Sequence, residues 1–161
     1  MTALVHFRSP VGTLSVEATD EGICAVAFGG GARHRPPIGG PAQRHVEAVL
    51  QALREYFEGR PPRLPPLVLR GTDFELAVWR ALLAIPFGET RTYGEVAATL
   101  RRPGAARAVG QANHANPIAI LVPCHRVVQA GGALGGYGGG LDVKRWLLAH
   151  EAGHAPLLRP T

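Results

Sequence analysis

Lysine is almost missing from this chain. Lys144 stands alone among 17 basic residues, so arginine carries the formal charge of +5 and the pI near 10.0. Such a balance fits a polyanionic partner, but a GC-rich coding sequence also raises arginine, and charge alone leaves both readings open. Cysteine is scarce as well. Cys24 and Cys124 are far apart and form no C-x-x-C or other local zinc pattern, which speaks for two reduced thiols and against a bound metal. Long apolar runs are absent. Nowhere do 18 uninterrupted apolar residues occur, and Met1 to Val11 lacks the basic-then-apolar order of a secretory leader, so a cytoplasmic location without a membrane partner is expected. The glycine-rich stretch 131–140 lacks the G-x-x-x-x-G-K-[ST] order of a phosphate cradle, and no internal repeat is visible.

What is present is enough for one ordinary domain or two small ones: 161 residues, 46% of them hydrophobic. The first 30 residues predict an antiparallel meander. Its strands are Leu4 to Arg8, Thr13 to Glu17 and Ile23 to Phe28, with turns at Ser9-Pro10-Val11-Gly12 and Asp20-Glu21-Gly22. Gly29 to Pro41 reads as an exposed loop. Val46, Val49, Leu50, Leu53, Tyr56 and Phe57 then fall on one face of a helix from about Ala42 to Phe57. The proline-rich run 61–66 cannot continue that helix and reads as a linker, which places a boundary near residue 71 between an N-terminal unit, 1–71, and a C-terminal unit, 72–161. Beyond it, Thr72-Asp73 offers an N-cap for a helix carrying Phe74, Val78, Trp79, Leu82 and Leu83. Further helices are expected from Thr92 or Tyr93 to Leu100, from Ala105 to Asn113 and from Leu141 to about Glu151. The middle pair, around the Arg101-Arg102-Pro103-Gly104 turn, has the outline of a helix-turn-helix.

Two features point to chemistry. Cys124 ends an apolar run, Ile118 to Val122, and is followed at once by His125 and Arg126. A thiol ionises near ~8.5 unaided, so a nucleophilic cysteine needs a neighbour such as an imidazole to ionise at neutral pH. A cysteine that merely fills core space is the alternative at this position. The helix Ala105 to Asn113 is unusually slim, with Arg107 its one large basic side chain. It could enter a narrow DNA groove with Arg107 reaching into the base stack, or simply pack closely against another helix.

The string Pro123-Cys124-His125-Arg126-Val127 is preceded by Arg107-Ala108-Val109-Gly110 and Asn116-Pro117. It is followed by Gly136-Tyr137 and Leu147-Leu148-x-x-Glu151. With Phe74, Val78-Trp79, Ile85-Pro86-x-Gly88 and Thr92-Tyr93-Gly94, these motifs resemble, in order, the O6-alkylguanine-DNA alkyltransferase family. The likeness is close over 72–151 and loose before it, through Ser9-Pro10-x-Gly12.

The resemblance implies an α+β fold: a small ribonuclease-H-like α/β domain, structural in role, followed by a mostly helical, winged-helix-like domain with a helix-turn-helix. It also implies a function, direct and stoichiometric transfer of the alkyl group from O6-alkylguanine in double-stranded DNA to Cys124. The damaged nucleotide is turned out of the stack from the minor-groove side, because the reacting oxygen is hidden in the duplex. Arg107 matches the arginine finger that fills the vacated place, on a helix presenting Ala105, Ala106, Ala108 and Gly110 to the DNA. Tyr93 matches the residue that helps turn the nucleotide and donates a proton to the departing guanine. His125, a bridging water and Glu151 match the groups that draw off the thiol proton, and Asn116 the hinge between recognition helix and active strand. Tyr137, Pro123, Val127 and Gly138 match the guanine pocket. Gly138 stands where some relatives carry a bulkier residue, which leaves the preferred alkyl size open. No cofactor is implied, and the chain is expected to act as a monomer.

Other readings compete. His150-Glu151-Ala152-Gly153-His154 fits the H-E-x-x-H zinc motif, but Gly153 and Pro156 mark a fraying helix end and no third ligand is evident. A lesion-binding relative without catalysis would lack the acceptor cysteine, and a helix-turn-helix regulator would leave Pro123-Cys124-His125-Arg126 without a role.

Overall fold

The computed structural model describes residues 2–31 and 33–154. Alternation organises the first part. In β2 (Gly12–Ala18) the residues Leu14, Val16 and Ala18 are fully buried while their neighbours are not, the period of a strand with one face on a core. β2 pairs antiparallel with β1 (Ala3–Ser9), Val5 opposite Val16, and with β3 (Ile23–Phe28), Val16 opposite Val26. α1 (Gly40–Phe57) covers this sheet with Val46, Val49, Leu53 and Tyr56. It starts two residues before the expected Ala42, because Pro41 fits the first helical turn.

The outer edge of β3 is not left open. Ile23 N–H donates to Pro66 O at 2.9 Å, and Val68 N–H donates to Ile23 O at 2.8 Å. Farther along, Val26 N–H donates to Pro117 O and Ala119 N–H to Val26 O. The expected linker is therefore partly held to the sheet. The segment leading to Cys124 is anchored on the same strand, and the apolar run 118–122 meets that strand in a single bridge, at Ile118.

The helical part begins where the capping residues say it should. Thr72 accepts from Glu75 N–H, and Glu75 reaches back to Thr72 N–H, closing a capping box at the start of α2 (Asp73–Leu83). Thr92 and Glu95 repeat that box at α3 (Tyr93–Thr99), just after the two-residue strand β4 (Arg91–Thr92). A turn then leads to α4 (Ala106–His114), one residue later at each end than expected. Trp79 of α2, buried, donates its indole N–H to Ala112 O of α4 at 2.9 Å and so fixes the helix-turn-helix against α2. Cys124–Arg126 forms one tight 3-10 turn, and β5 (Val127–Val128) lies parallel to β4. α5 (Leu141–His154) runs through Gly153 rather than stopping near Glu151; Pro156 lies outside the described residues. A single hydrophobic cluster joins the sheet, α1 and the helical part.

Trp79→Phe removes a buried hydrogen bond and part of the buried ring volume, while Ala112 O keeps the Ala115 N–H at 3.2 Å. We expect it to lower the unfolding free energy by about 2 kcal/mol, read by urea denaturation.

Candidate active site

Cys124 opens the tight turn with its side chain at the base of a cavity of about 970 Å³. The segment that holds it is rigid. Asn116 donates its amide to Val122 O at 2.9 Å and accepts from Ile118 N–H at 2.9 Å, while Asn113 donates to Cys124 O at 3.2 Å. Within the segment Ile120, fully buried and β-branched, holds φ at 71°, a left-handed conformation that costs such a residue energy and persists only where packing enforces it.

Burial pushes the Cys124 thiol above its ordinary value. The Asn116 amide, the Lys144 charge and the Tyr137 hydroxyl pull it back only in part. The resting group is thus a neutral thiol at neutral pH. Behind it His125 is fully buried, and its Nε2 lies 2.5 Å from Glu151 Oε2. Glu151 is ionised: burial raises its carboxyl, but hydrogen bonds and charges from His125 and Arg126 prevail and pull it down to about 2. Nε2 must then be the protonated ring nitrogen, which leaves Nδ1 as the basic one. Nδ1 is buried with no hydrogen-bond partner among the described residues. Burial, chiefly, keeps the ring neutral by lowering its value.

The remaining carboxylate sites on Glu151 are also occupied. Arg126 Nε donates to Oε1 at 2.8 Å, Gly88 N–H to Oε1 at 3.0 Å and Tyr56 OH to Oε2 at 2.7 Å. Arg126 further donates to Ile85 O at 2.7 Å.

Tyr93, at the first position of α3, faces the cavity from the opposite wall. Burial and the nearby Cys124 raise its phenol, so it stays protonated. Its hydroxyl occupies the space that a Cβ on Gly135 would take, and its ring lies 3.7 Å from the Cβ position of Gly110. Gly135 is therefore required by close approach rather than by backbone angle, whereas a Cβ at Gly110 would make ordinary contact with the ring.

Of the expected site residues, Tyr93, Ala106, Arg107, Gly110, Asn116, Cys124, Tyr137 and Gly138 line the cavity. Arg107 and Ala108 are exposed on the outer face of α4, while Ala105 sits half-buried at its N-cap. Two expectations are corrected. Pro123 borders a separate hollow of about 170 Å³ on the other side of the turn. Val127 is fully buried in β5, and its carbonyl is taken up by Lys144, so neither forms a wall of the cavity. At Gly138 a Cβ would meet nothing within 4 Å, so bulk is tolerated there.

Sequence reasoning missed Lys144. It is fully buried, donates to Val127 O at 2.7 Å, and its charge bears on the sulfur. Its being the sole lysine in an arginine-rich chain was the available signal. Also missed were Val26, Ala27 and Phe28, by which β3 forms part of the cavity wall. Phe28 meets Tyr137 edge-on at 5.6 Å. The N-terminal part is thus more than a support.

The H-E-x-x-H reading fails on geometry. His150 stacks on Trp146 at 4.7 Å and points Nε2 at Tyr56 O, whereas Glu151 turns into the core. Among the described residues no group of three His, Cys, Asp or Glu could hold a metal ion, and no helix is long and apolar enough to cross a membrane.

Comparison with known proteins agrees with this architecture. Residues 5–67 match the family model of the 6-O-methylguanine DNA methyltransferase ribonuclease-like domain, and 73–153 that of its DNA binding domain. The fold is that of a ribonuclease-like unit joined to a DNA-binding unit. A methylated-DNA--protein-cysteine methyltransferase of Mycobacterium bovis is 45% identical over 162 residues, covering 95% of this chain and 96% of the relative. One of Methanosarcina acetivorans is 43% identical over 148 residues, covering 90% and 95%. The crystal structure of Mycobacterium tuberculosis O6-methylguanine methyltransferase superposes with a TM-score of 0.84 at 42% identity, covering 97% of this chain and 96% of that one. That of Mycobacterium tuberculosis OGT in complex with DNA gives 0.81 at 44%, covering 94% and 93%. The chain belongs to the 6-O-methylguanine DNA methyltransferase family.

Because the folded carboxyl of Glu151 titrates below its unfolded value, it contributes stability that is present above 4.5 and lost as pH falls through about 2. We expect about 3 kcal/mol of acid destabilisation over that window. In Glu151→Gln this part of the pH dependence disappears, as measured by chemical denaturation at stepped pH.

Proposed function

We propose that this protein repairs DNA by moving the alkyl group of O6-alkylguanine in duplex DNA onto Cys124, once per molecule. The observation that carries this reading is a thiol at the base of a cavity with ample room for a purine, backed by a buried His125–Glu151 pair and faced by a protonated tyrosine. An O6 substituent lies on the pairing edge, so the nucleotide must leave the stack to reach the sulfur. α4 is slim on its exposed side and approaches from the minor groove, with Arg107 filling the gap left in the duplex.

In the reaction, His125 Nδ1 takes the thiol proton through a bridging water, and Glu151 steadies the imidazolium that forms. Lys144 and Asn116 stabilise the thiolate. The sulfur attacks the alkyl carbon, the S–C bond forms, and the C–O6 bond breaks with its electron pair passing to guanine. Tyr93 donates a proton to that base and regains one from solvent, while His125 releases to solvent the proton it took, so that overall one proton leaves the thiol and one is gained by guanine. The product thioether has no leaving group that the site can activate, so the protein is consumed, and no methyl-donor cofactor takes part. We assign alkyl acceptance and DNA contact to the unit 72–161 and place the boundary with 1–71 near residue 71, the protein acting as a monomer.

Duplex DNA carrying labelled O6-methylguanine should transfer one label per protein, and Cys124→Ser should abolish transfer. Binding without transfer would favour a lesion sensor, and indifference to the lesion a transcription regulator. Arg107→Ala should slow repair in duplex DNA by roughly tenfold or more while sparing transfer from free O6-benzylguanine; equal losses would count against the finger. Since burial raises the thiol, the single-turnover rate should climb as pH rises through the thiol range, measured by rapid quench.

A further inference from the structure

Tyr56 sits in the last turn of α1, fully buried, 95 residues before the carboxylate it meets. Its hydroxyl donates to Glu151 Oε2 at 2.7 Å. The same oxygen accepts from His125 Nε2 at 2.5 Å, and Arg126 reaches it at 3.2 Å. The phenol is a permanent donor, because burial and the Glu151 charge push its ionisation far above the ordinary range.

We propose that Tyr56 is a positioning residue of the alkyl-transfer site: its hydroxyl fixes Glu151 Oε2 against His125 and shares that oxygen's charge with the imidazole. This rests on the reading of His125 as the base for Cys124. Packing alone does not require the hydroxyl. The ring lies among Phe57, Phe87, His125 and His150 with centroids 5.1 to 6.2 Å away, contacts that phenylalanine would keep. Nor would the carboxylate be left bare without it, since Gly88 N–H, Arg126 and His125 also donate to it. What the hydroxyl adds is competition at one oxygen. An acceptor that divides its charge between two short donors holds each less strongly, so Tyr56 restrains how firmly Glu151 stabilises a protonated His125.

The other groups that bear on the pair come from every side. Arg126 lies in the Cys124 turn, Lys144 on α5, and Tyr137 faces the His125 ring at 6.4 Å. His150 occupies the far side of Tyr56, bonded to its carbonyl. None of them donates a neutral hydrogen bond to Oε2.

The sign follows directly. Without the hydroxyl, Glu151 attracts an imidazolium more strongly, His125 becomes more basic, and it protonates at a higher pH. The experiment measures single-turnover label transfer from an O6-methylguanine duplex against pH for the wild type, for Tyr56→Phe, and for the chain with 3-fluorotyrosine at position 56. In parallel, the His125 ring nitrogens are titrated by NMR without DNA. In Tyr56→Phe the acidic limb of the rate profile and the His125 titration should both move up by about half a pH unit, with the alkaline limb of Cys124 unmoved. The fluorinated phenol is a stronger donor and should move both down, which keeps the test available if the phenylalanine variant folds poorly. A uniform loss of rate at every pH, with the His125 titration in place, overturns the inference and leaves Tyr56 a packing residue. Absence of transfer in the wild type would instead overturn the functional reading, while the NMR titration would still decide whether Tyr56 governs His125.

Discussion

The buried carboxylate of Glu151 is the constraint around which this molecule is arranged. It accepts from Tyr56 on α1, from Gly88 in the loop after α2, and from His125 and Arg126 in the Cys124 turn, and it is itself part of α5. A bare charge in such a place would cost several kcal/mol, and only a full set of donors offsets that cost. Four separate pieces of chain must therefore be in register before the carboxylate can be buried. The thiol is positioned as a by-product of that requirement, because the turn that supplies two of the donors begins with Cys124.

Charge is divided with some care inside this shell. The sulfur carries no charge at rest, which avoids a thiolate buried beside a carboxylate, and His125 is neutral because burial outweighs the pull of that carboxylate. Ion formation is deferred to the moment of reaction. When it comes, Lys144, Asn116 and Tyr137 already face the sulfur, and Glu151 already faces the imidazole, so little reorganisation is needed. Under the proposed single transfer such a site has no need to reset, and Asn113, Asn116 and the strained Ile120 anchor it rigidly.

Much of this was legible in the sequence where the information is local. The strand-and-turn pattern marked β1, β2 and β3, Thr72-Asp73 marked the start of α2, and the start of α3 was placed at Thr92 or Tyr93. The family motifs brought Cys124, His125, Tyr93, Arg107, Asn116, Tyr137 and Glu151 to one place, with Arg107 at the rim. Contacts across long separations were not legible. No pattern near Tyr56 announces a carboxylate 95 residues away, and none near Phe28 announces a cavity wall. Pro123 and Val127, taken from the family resemblance, are not among the residues that line the cavity: Pro123 borders the separate hollow and Val127 is buried in β5.

The distribution of the two basic residue types completes the argument. Arginine keeps its charge in any setting, and this chain leaves Arg101, Arg102 and Arg107 exposed around the helix-turn-helix, where a permanent charge can meet phosphate. Among the described residues the one arginine drawn inside, Arg126, is matched by Glu151 and by a backbone carbonyl. Lysine is used once, and inside. The Lys144 ammonium reaches Val127 O at 2.7 Å, and burial lowers its hold on the proton while a charge on the neighbouring sulfur opposes that lowering. Its charge is thus most strongly held when Cys124 ionises. On the proposed reading the two basic residue types divide the work: fixed charge on the exposed helix-turn-helix, adjustable charge beside the thiol.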